Sequence, residues 1–153
     1  MAKRLPGSEE GEVLKGRIIR GGKAKGEALV SPEPIGFLGG VDPETGVVVE
    51  RGHPLEGQRV SGRVLVFPTG KGSTVGSYIL YRLKRKGLAP AAIVNAEADP
   101  VVAVGAIISD IPMVDQVDIT KIKTGDIVEI EGDEVRVCGR TGIPEVGRLA
   151  DNG

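Results

Sequence analysis

A strand, a glycine-rich turn and a helix in series, over residues 64–86, constrain the fold of this chain more than any other stretch. Val64–Phe67 is a continuous apolar run of β-forming residues, which is typical of a strand buried on both faces. Pro68, Gly70 and Gly72 follow directly, and these residue types interrupt extended chain. The sequence therefore predicts a buried strand that ends in a tight turn.

The residues after this turn predict an amphipathic helix. Val75, Ile79 and Leu83 recur every four residues and would lie on one buried face, so Ser73 or Thr74 is expected near the N-cap. Four basic residues gather in the last turn of this helix, where the helix dipole favours them. The start of the helix places unpaired backbone N–H groups, the positive end of the dipole and hydroxyl groups together. Such a place binds anions or stabilises an alkoxide.

Composition limits the classes of partner. The 153 residues suit one domain of ordinary size, and 20 basic against 21 acidic residues give a net charge of −1. Such a balance does not attract nucleic acid or an anionic membrane. Aromatic residues make up only 3%, so the stacking platforms of single-strand binders are also missing. We expect neither a nucleic-acid partner nor a membrane partner.

The single cysteine, Cys138, excludes an internal disulfide and a metal site built from several thiolates of this chain. One cysteine suits a reducing compartment, and the first ten residues lack the apolar core of a signal peptide. We therefore expect a cytoplasmic protein. Within the predicted domain, Cys138 is interpreted as a small apolar residue at the end of a strand.

Residues 1–10 are interpreted as a flexible leader, 11–138 as a single domain and 139–153 as a tail. Within the domain, Asp99 followed by Pro100 is a helix start signal, so a short helix is expected over 101–105. A flexible link is expected over 21–26. Strands are expected over 13–19, 27–30, 47–50, 64–67, 91–95, 106–109, 112–114, 127–130 and 134–137. This pattern favours layered sheets with helix on one side, in a strand-rich α/β domain with one clear helix.

Several conspicuous residues have simple structural explanations. The run from Gly70 to Thr74 is not a nucleotide-binding loop, because that motif needs Ser or Thr directly after its Gly-Lys pair. From spacing alone Ser73 is a helix cap. His53 is interpreted as a turn residue rather than a base or phosphoryl carrier. Four acidic residues in turns are interpreted as shaping the backbone: Asp42, Glu44, Glu97 and Asp99.

Six short segments, in the same order and spacing, resemble the small subunit of aconitase X-type hydro-lyases. They are residues 26–31 (GEALVS), 39–46 (GGVDPETG), 53–57 (HPLEG), 70–73 (GKGS), 89–94 (APAAIV) and 105–108 (GAII). Together they span the chain from about residue 16 to residue 115. The resemblance implies the swivelling domain of aconitase, a fold of three layers in the order β, β, α, which agrees with the strand-rich pattern.

The resemblance also implies a site. Ser73 would be the catalytic base, and Gly70, Lys71, Gly72 and Thr74 would bind substrate. Aconitases have Ser-Ser-Arg in the matching loop, where this chain has Ser, Thr and Val, so the substrate-binding arginine of that loop is absent. Lys71 or a residue of the large subunit would then supply its charge.

The implied reaction removes water from mevalonate 5-phosphate and gives trans-anhydromevalonate 5-phosphate, a step of an isoprenoid route. The resemblance assigns an iron–sulfur cluster of the 4Fe–4S type to a separate large subunit, with no metal held by this chain. The alternative substrates are hydroxyproline or a related hydroxy acid. Two other functions stay open: a swivelling phosphohistidine carrier using His53, although its surroundings lack the Thr-containing signature of such domains, and a non-catalytic regulatory subunit.

Overall fold

The structure is a computed structural model, and it describes residues 11–140. The leader expected over 1–10 lies outside the described residues, as does the expected tail from residue 141 onward. The tail was expected to begin at residue 139, which is wrong, because residues 139 and 140 belong to the last strand. The elements are β1 (Val13–Lys15), β2 (Arg17–Arg20), β3 (Lys23–Val30), β4 (Val64–Phe67), α1 (Gly76–Arg85), β5 (Ala92–Asn95), α2 (Pro100–Ile108), β6 (Met113–Asp115), β7 (Asp126–Glu131) and β8 (Glu134–Arg140). A short 3-10 helix, Ile119–Lys121, lies between β6 and β7.

The strands form one mixed sheet in the order β1-β8-β7-β3-β4-β5-β6-β2. Strands β3, β4, β5 and β6 run parallel to one another. The remaining pairs are antiparallel: β1 with β8, β8 with β7, β7 with β3, and β6 with β2. The two edge strands, β1 and β2, are separated in the chain by Gly16 alone, so the edges of the sheet come together. The sheet is therefore nearly a closed barrel.

Two apolar cores divide the domain into three layers. Along β4, Leu65 and Phe67 pack with α1 and α2, whereas Val64 and Val66 pack with the antiparallel half of the sheet. Successive side chains of a strand point to opposite faces, so a strand that is apolar throughout must be covered on both. The β/β/α layering expected from the sequence is confirmed, with two helices rather than one clear helix.

The second helix extends further than expected. The strand expected over 106–109 is wrong, because α2 continues to Ile108. Asp99 caps its first turn by accepting the N–H groups of Val101 and Val102. The buried face of α2 consists of Val102, Gly105 and Ala106. Tertiary packing against α1 outweighs the β propensity of this Val- and Ile-rich segment.

Three strand boundaries also differ from expectation. The flexible link over 21–26 is wrong from Lys23 onward, because β3 starts there and pairs with β7 along residues 23–27. The strand over 47–50 is wrong as well, since only Val47 and Val48 form isolated bridges. The first strand divides at Gly16 into β1 and β2, which pair with different partners. The pairing of each strand with its neighbour set these boundaries, and the pairing partners of a strand cannot be inferred from a single sequence.

Neither helix within residues 11–140 has the length and apolarity needed to cross a membrane.

An ion pair between the partly exposed Arg17 of β2 and the buried Asp115 of β6 lies at the far edge of the parallel strands. The Arg17 guanidinium donates Nε to Asp115 Oδ1 at 3.0 Å and NH2 to Asp115 Oδ2 at 2.9 Å. Asp115 is fully buried, and its Oδ2 also accepts the Ala98 N–H at 2.9 Å. Burial by itself would raise the pKa of Asp115, but the Arg17 and Ala98 hydrogen bonds outweigh burial and lower that pKa below its ordinary value.

Replacing Asp115 with Asn should lower the free energy of unfolding by about 1–3 kcal/mol at neutral pH, because a buried group loses charge-assisted partners. A carboxyl with a lowered folded-state pKa contributes stability that is present above its unfolded pKa, near 3.9, and is lost as pH falls toward its folded pKa. The difference between wild type and Asp115→Asn should therefore shrink below about pH 4. Urea unfolding at a series of pH values measures this difference in the free energy of unfolding. The same substitution at the partly exposed Asp133, Asp133→Asn, is the control. An equal difference at every pH would contradict this account.

Candidate active-site loop

Ser73 lies on an exposed loop between the end of β4 and the start of α1. Its Oγ accepts the Val75 N–H at 3.1 Å, and its carbonyl accepts the Gly76 N–H at 3.0 Å. The helix starts at Gly76, so Ser73 shapes the turn that leads into α1 rather than capping its first residue. The expected buried position of Val75 is wrong, because that side chain is 47% exposed. The Ser73 hydroxyl is therefore oriented by a backbone N–H and open to solvent.

One side of the loop is held by the segment around Ile35. The Ile35 N–H donates to the Thr69 carbonyl at 3.3 Å, and the Lys71 N–H donates to the Ile35 carbonyl at 3.1 Å. Gly36 packs closely here, since a Cβ at that position would lie 2.9 Å from the Lys71 carbonyl oxygen. These contacts fix the backbone directly before Ser73.

The other side of the loop packs on the start of α2. A Cβ at Gly70 would overlap Asp99 Oδ1 and would lie 2.6 Å from Val102 Cγ2, so only glycine fits there. Asp99 is thus a helix cap, as interpreted from the sequence, and the fold also brings it into contact with the loop. Below the loop, Asn95 Nδ2 donates to the Phe67 carbonyl at 2.9 Å and ties the end of β4 to β5.

Gly72 lies at a bend of the loop. Its φ is +90°, a conformation that costs a residue with a Cβ roughly 1–2 kcal/mol. The exposed Thr74 follows Ser73, and its carbonyl accepts the Ser77 N–H at 3.2 Å. The structure thus brings the five site residues expected from the sequence onto one exposed loop: Gly70, Lys71, Gly72, Ser73 and Thr74.

Lys71 has a partner that the sequence did not indicate. Its Nζ lies 2.8 Å from Glu50 Oε2, and both side chains are partly exposed. Glu50 is 21 residues away in the chain, and no spacing or motif connects the two positions. Only the fold places this carboxylate beside the loop.

The other candidate residues have structural roles. Leu55 N–H donates to His53 Nδ1 at 3.0 Å, so the ring proton is on Nε2, which donates to the Pro34 carbonyl at 3.0 Å. Both ring nitrogens of this buried histidine are therefore engaged, which argues against phosphoryl transfer. Asp42 Oδ1 accepts the Glu44 N–H at 2.9 Å and shapes a turn.

Glu44 is the counter-ion of the basic end of α1. The hydrogen bond from Lys86 and the charge of Lys86 lower the pKa of Glu44 below its ordinary value, and Arg82 also pairs with this carboxylate. The remaining acidic candidate, Glu97, is exposed, and its backbone N–H donates to the Pro68 carbonyl at 3.0 Å. Cys138 is half-buried in β8. None of these side chains is brought to Ser73 by a contact in the described part of the chain.

The described residues do not fit an iron–sulfur cluster. Over 11–140, His, Cys, Asp and Glu side chains nowhere form a group of three or more that could hold a metal ion. Clusters are held by several cysteine thiolates, and the chain has one cysteine.

Apolar side chains surround the loop on the outside of the domain. Leu38, Val75 and Tyr78 are 47%, 47% and 57% exposed. The backbone of Leu38 lies next to the start of α1, since a Cβ at Gly76 would come within 3.7 Å of the Leu38 nitrogen. Exposed apolar side chains clustered at a polar loop are typical of a surface that another protein covers.

Comparison with known proteins gives a consistent result. Residues 13–138 match the family model described as the aconitase X swivel domain. The chain is 58% identical over 124 residues to the phosphomevalonate dehydratase small subunit of Thermococcus kodakarensis, covering 81% of this chain and 93% of that protein. It is 57% identical to the protein of the same name from Methanosarcina acetivorans, covering 79% of this chain and 86% of that protein.

Solved structures agree with the sequence relatives. The fold superposes on a chain of the crystal structure of Thermococcus kodakaraensis aconitase X in its holo-form with a TM-score of 0.82, at 56% identity. That match covers 83% of this chain and 98% of the other. A solution NMR structure of a UPF0107 protein gives a TM-score of 0.76 at 46% identity, covering 82% of this chain and 98% of the other. The family resemblance seen in the sequence is confirmed, and the chain belongs to the aconitase X swivel domain family.

Proposed function

We propose that this chain is the small subunit of a heteromeric hydro-lyase that converts mevalonate 5-phosphate to trans-anhydromevalonate 5-phosphate in a mevalonate route to isoprenoids. Relatives that are 55–58% identical over 120–124 aligned residues are named phosphomevalonate dehydratase small subunits. The observation that carries the proposal is the exposed Ser73 hydroxyl, presented by a loop that is fixed on two sides.

Ser73 is the base that removes the proton next to the substrate carboxylate. This proton is weakly acidic, so the base must be strong and must lie within hydrogen-bond reach. A serine alkoxide has that strength. The Val75 N–H already donates to Ser73 Oγ, and it would donate more strongly to the alkoxide because hydrogen bonds to charged groups are stronger.

The chain supplies only part of the stabilisation that the alkoxide needs. The start of a helix contributes about 0.3–2 kcal/mol to a nearby negative charge, and a hydrogen bond to a charged group contributes about 1.5–3 kcal/mol. Together these lower a pKa by roughly 1–4 units at 1.36 kcal/mol per unit. An aliphatic alcohol needs more than this at neutral pH, so the rest must come from Lys71 or from outside the chain.

The loop around Ser73 binds the anionic substrate. Gly70, Gly72 and Thr74 bring backbone and hydroxyl groups close to the substrate, and Lys71 supplies a positive charge. This lysine takes the place of the arginine that aconitases have in the matching loop. As a compact ammonium on a flexible stem, it binds phosphate or carboxylate as a point charge rather than through a planar fork.

A large subunit completes the site. Its existence is inferred from the name of the relatives and from the apolar rim formed by Leu38, Val75 and Tyr78. The iron–sulfur cluster is assigned to that subunit, where it would bind the leaving hydroxyl. We propose a cytoplasmic location, because a single cysteine suits a reducing compartment.

Replacing Ser73 with Ala should lower kcat by about 10²- to 10⁴-fold, because a positioned base contributes that much. The measurement is dehydration of mevalonate 5-phosphate by the chain reconstituted with its large subunit. Ser61→Ala is the matched control: Ser61 precedes β4, whereas Ser73 follows it, so the same change is made at the opposite end of the strand. If Ser73→Ala turned over like Ser61→Ala, Ser73 would not be the base.

Replacing Val75 with Asp should weaken association with the large subunit at least about tenfold, since a charge in the centre of an interface is desolvated without a partner. The change should not harm the fold, because Asp is favoured at the start of a helix. Binding is measured by calorimetry or co-purification. Val13→Asp, on the edge strand β1, is the control and should bind normally. Equal affinity of both variants would exclude this rim from the interface.

A further inference from the structure

We propose that Glu50 is the resident counter-ion of Lys71, and that an anionic group of the substrate must displace it from the ammonium in order to bind. The inference rests on the proposed function and deepens it, because it names a residue outside the loop that sets anion affinity at the site. Glu50 is not expected to take part in proton transfer.

The geometry places Glu50 between the loop and the segment around Gly40. Its Oε2 lies 2.8 Å from Lys71 Nζ. Its Oε1 would lie 3.6 Å from a Cβ at Gly40, so the carboxylate is held close to that backbone. The backbone of Glu50 is fixed as well, since its carbonyl accepts the His53 N–H at 3.2 Å. The carboxylate therefore has a defined position beside the loop.

The Lys71–Glu50 ion pair is strong enough to hold the Lys71 ammonium in position, and weak enough for a substrate anion to replace Glu50. The side chains of Lys71 and Glu50 are 45% and 34% exposed. Ion pairs between partly exposed side chains usually contribute about 0.2–1 kcal/mol. That range corresponds to a change of up to about fivefold in an equilibrium constant. A phosphate or carboxylate brought to Lys71 competes with Glu50 for the ammonium and is repelled by the carboxylate that it displaces.

Removing the counter-ion should therefore strengthen anion binding. In Glu50→Gln, no ion pair with Lys71 has to break before an anion binds. The site also carries one negative charge less. We expect the dissociation constant for inorganic phosphate to fall about two- to fivefold. Lys71→Gln removes the attracting charge and should weaken phosphate binding about tenfold or more, as expected for a hydrogen bond to a charged group.

The experiment titrates the full chain, in the absence of a large subunit, with inorganic phosphate at neutral pH and low salt. Amide chemical shifts of the five loop residues, 70–74, report binding. The matched control is Glu131→Gln, which breaks another exposed lysine–glutamate pair, Lys23–Glu131, between β3 and β7. Thermal unfolding of all variants is measured in parallel, because a merely structural role of Glu50 would lower stability without changing phosphate affinity.

Tighter phosphate binding by Glu50→Gln, with Glu131→Gln equal to wild type, supports the inference. Equal dissociation constants for Glu50→Gln and wild type overturn it, and so does the absence of saturable shifts at the loop in every variant. The titration requires no turnover, so its failure is distinguishable from a failure of Ser73 as the base. That second failure would appear only in the dehydration assay.

Discussion

The structure depends on the burial of two short parallel strands on both of their faces. Every residue of β4 and β5 is buried, so the helices must cover one face and the antiparallel half of the sheet the other. With both faces covered, only the ends of these strands reach the surface. The Ser73 loop follows the carboxyl end of β4, at one of these exposed strand ends.

The elements that the sequence predicted well are those decided by local pattern. Val64–Phe67 and the turn after it were predicted with the boundaries that the structure has, because a continuous apolar run between breakers has few alternatives. The strands expected over 127–130 and 134–137, which correspond to β7 and β8, were predicted from a different local pattern, the alternation of apolar and polar residues. The end of α2 was not, since its Val and Ile residues suit a strand equally well until packing against α1 is known. The start of β3 depends on pairing with β7.

The sequence could predict only the part of the proposed site whose residues form one continuous segment. The five loop residues follow one another in the chain, and family resemblance identified Ser73 among several unremarkable hydroxyl groups. The supports of the loop come from distant positions: Ile35, Glu50 and Asp99. A single sequence contains no signal for such contacts. Asp99 was recognised as a helix cap, but its close approach to Gly70 is a property of the folded chain.

The loop that carries Ser73 is exposed and held in position, but it is not by itself a complete active site. Backbone contacts on two sides hold it, and Gly72 adopts a positive φ directly before the exposed Ser73. The hydroxyl is already hydrogen-bonded to Val75 N–H, so little reorganisation is needed once a substrate arrives. In the proposed function, the opposite wall of the site comes from the large subunit, and the remaining charge that a Ser73 alkoxide requires comes from Lys71 or from that subunit. The proposal accounts for the position of Ser73 on the outside of a small domain.

The most direct test is a structure of the complete enzyme with a substrate analogue bound, in which one distance is measured. The account requires Ser73 Oγ to lie within about 3–3.5 Å of the carbon next to the carboxylate, the spacing of groups ready to react. It would be contradicted by an analogue bound with Ser73 turned toward bulk solvent, or with another side chain of either subunit in contact with that carbon.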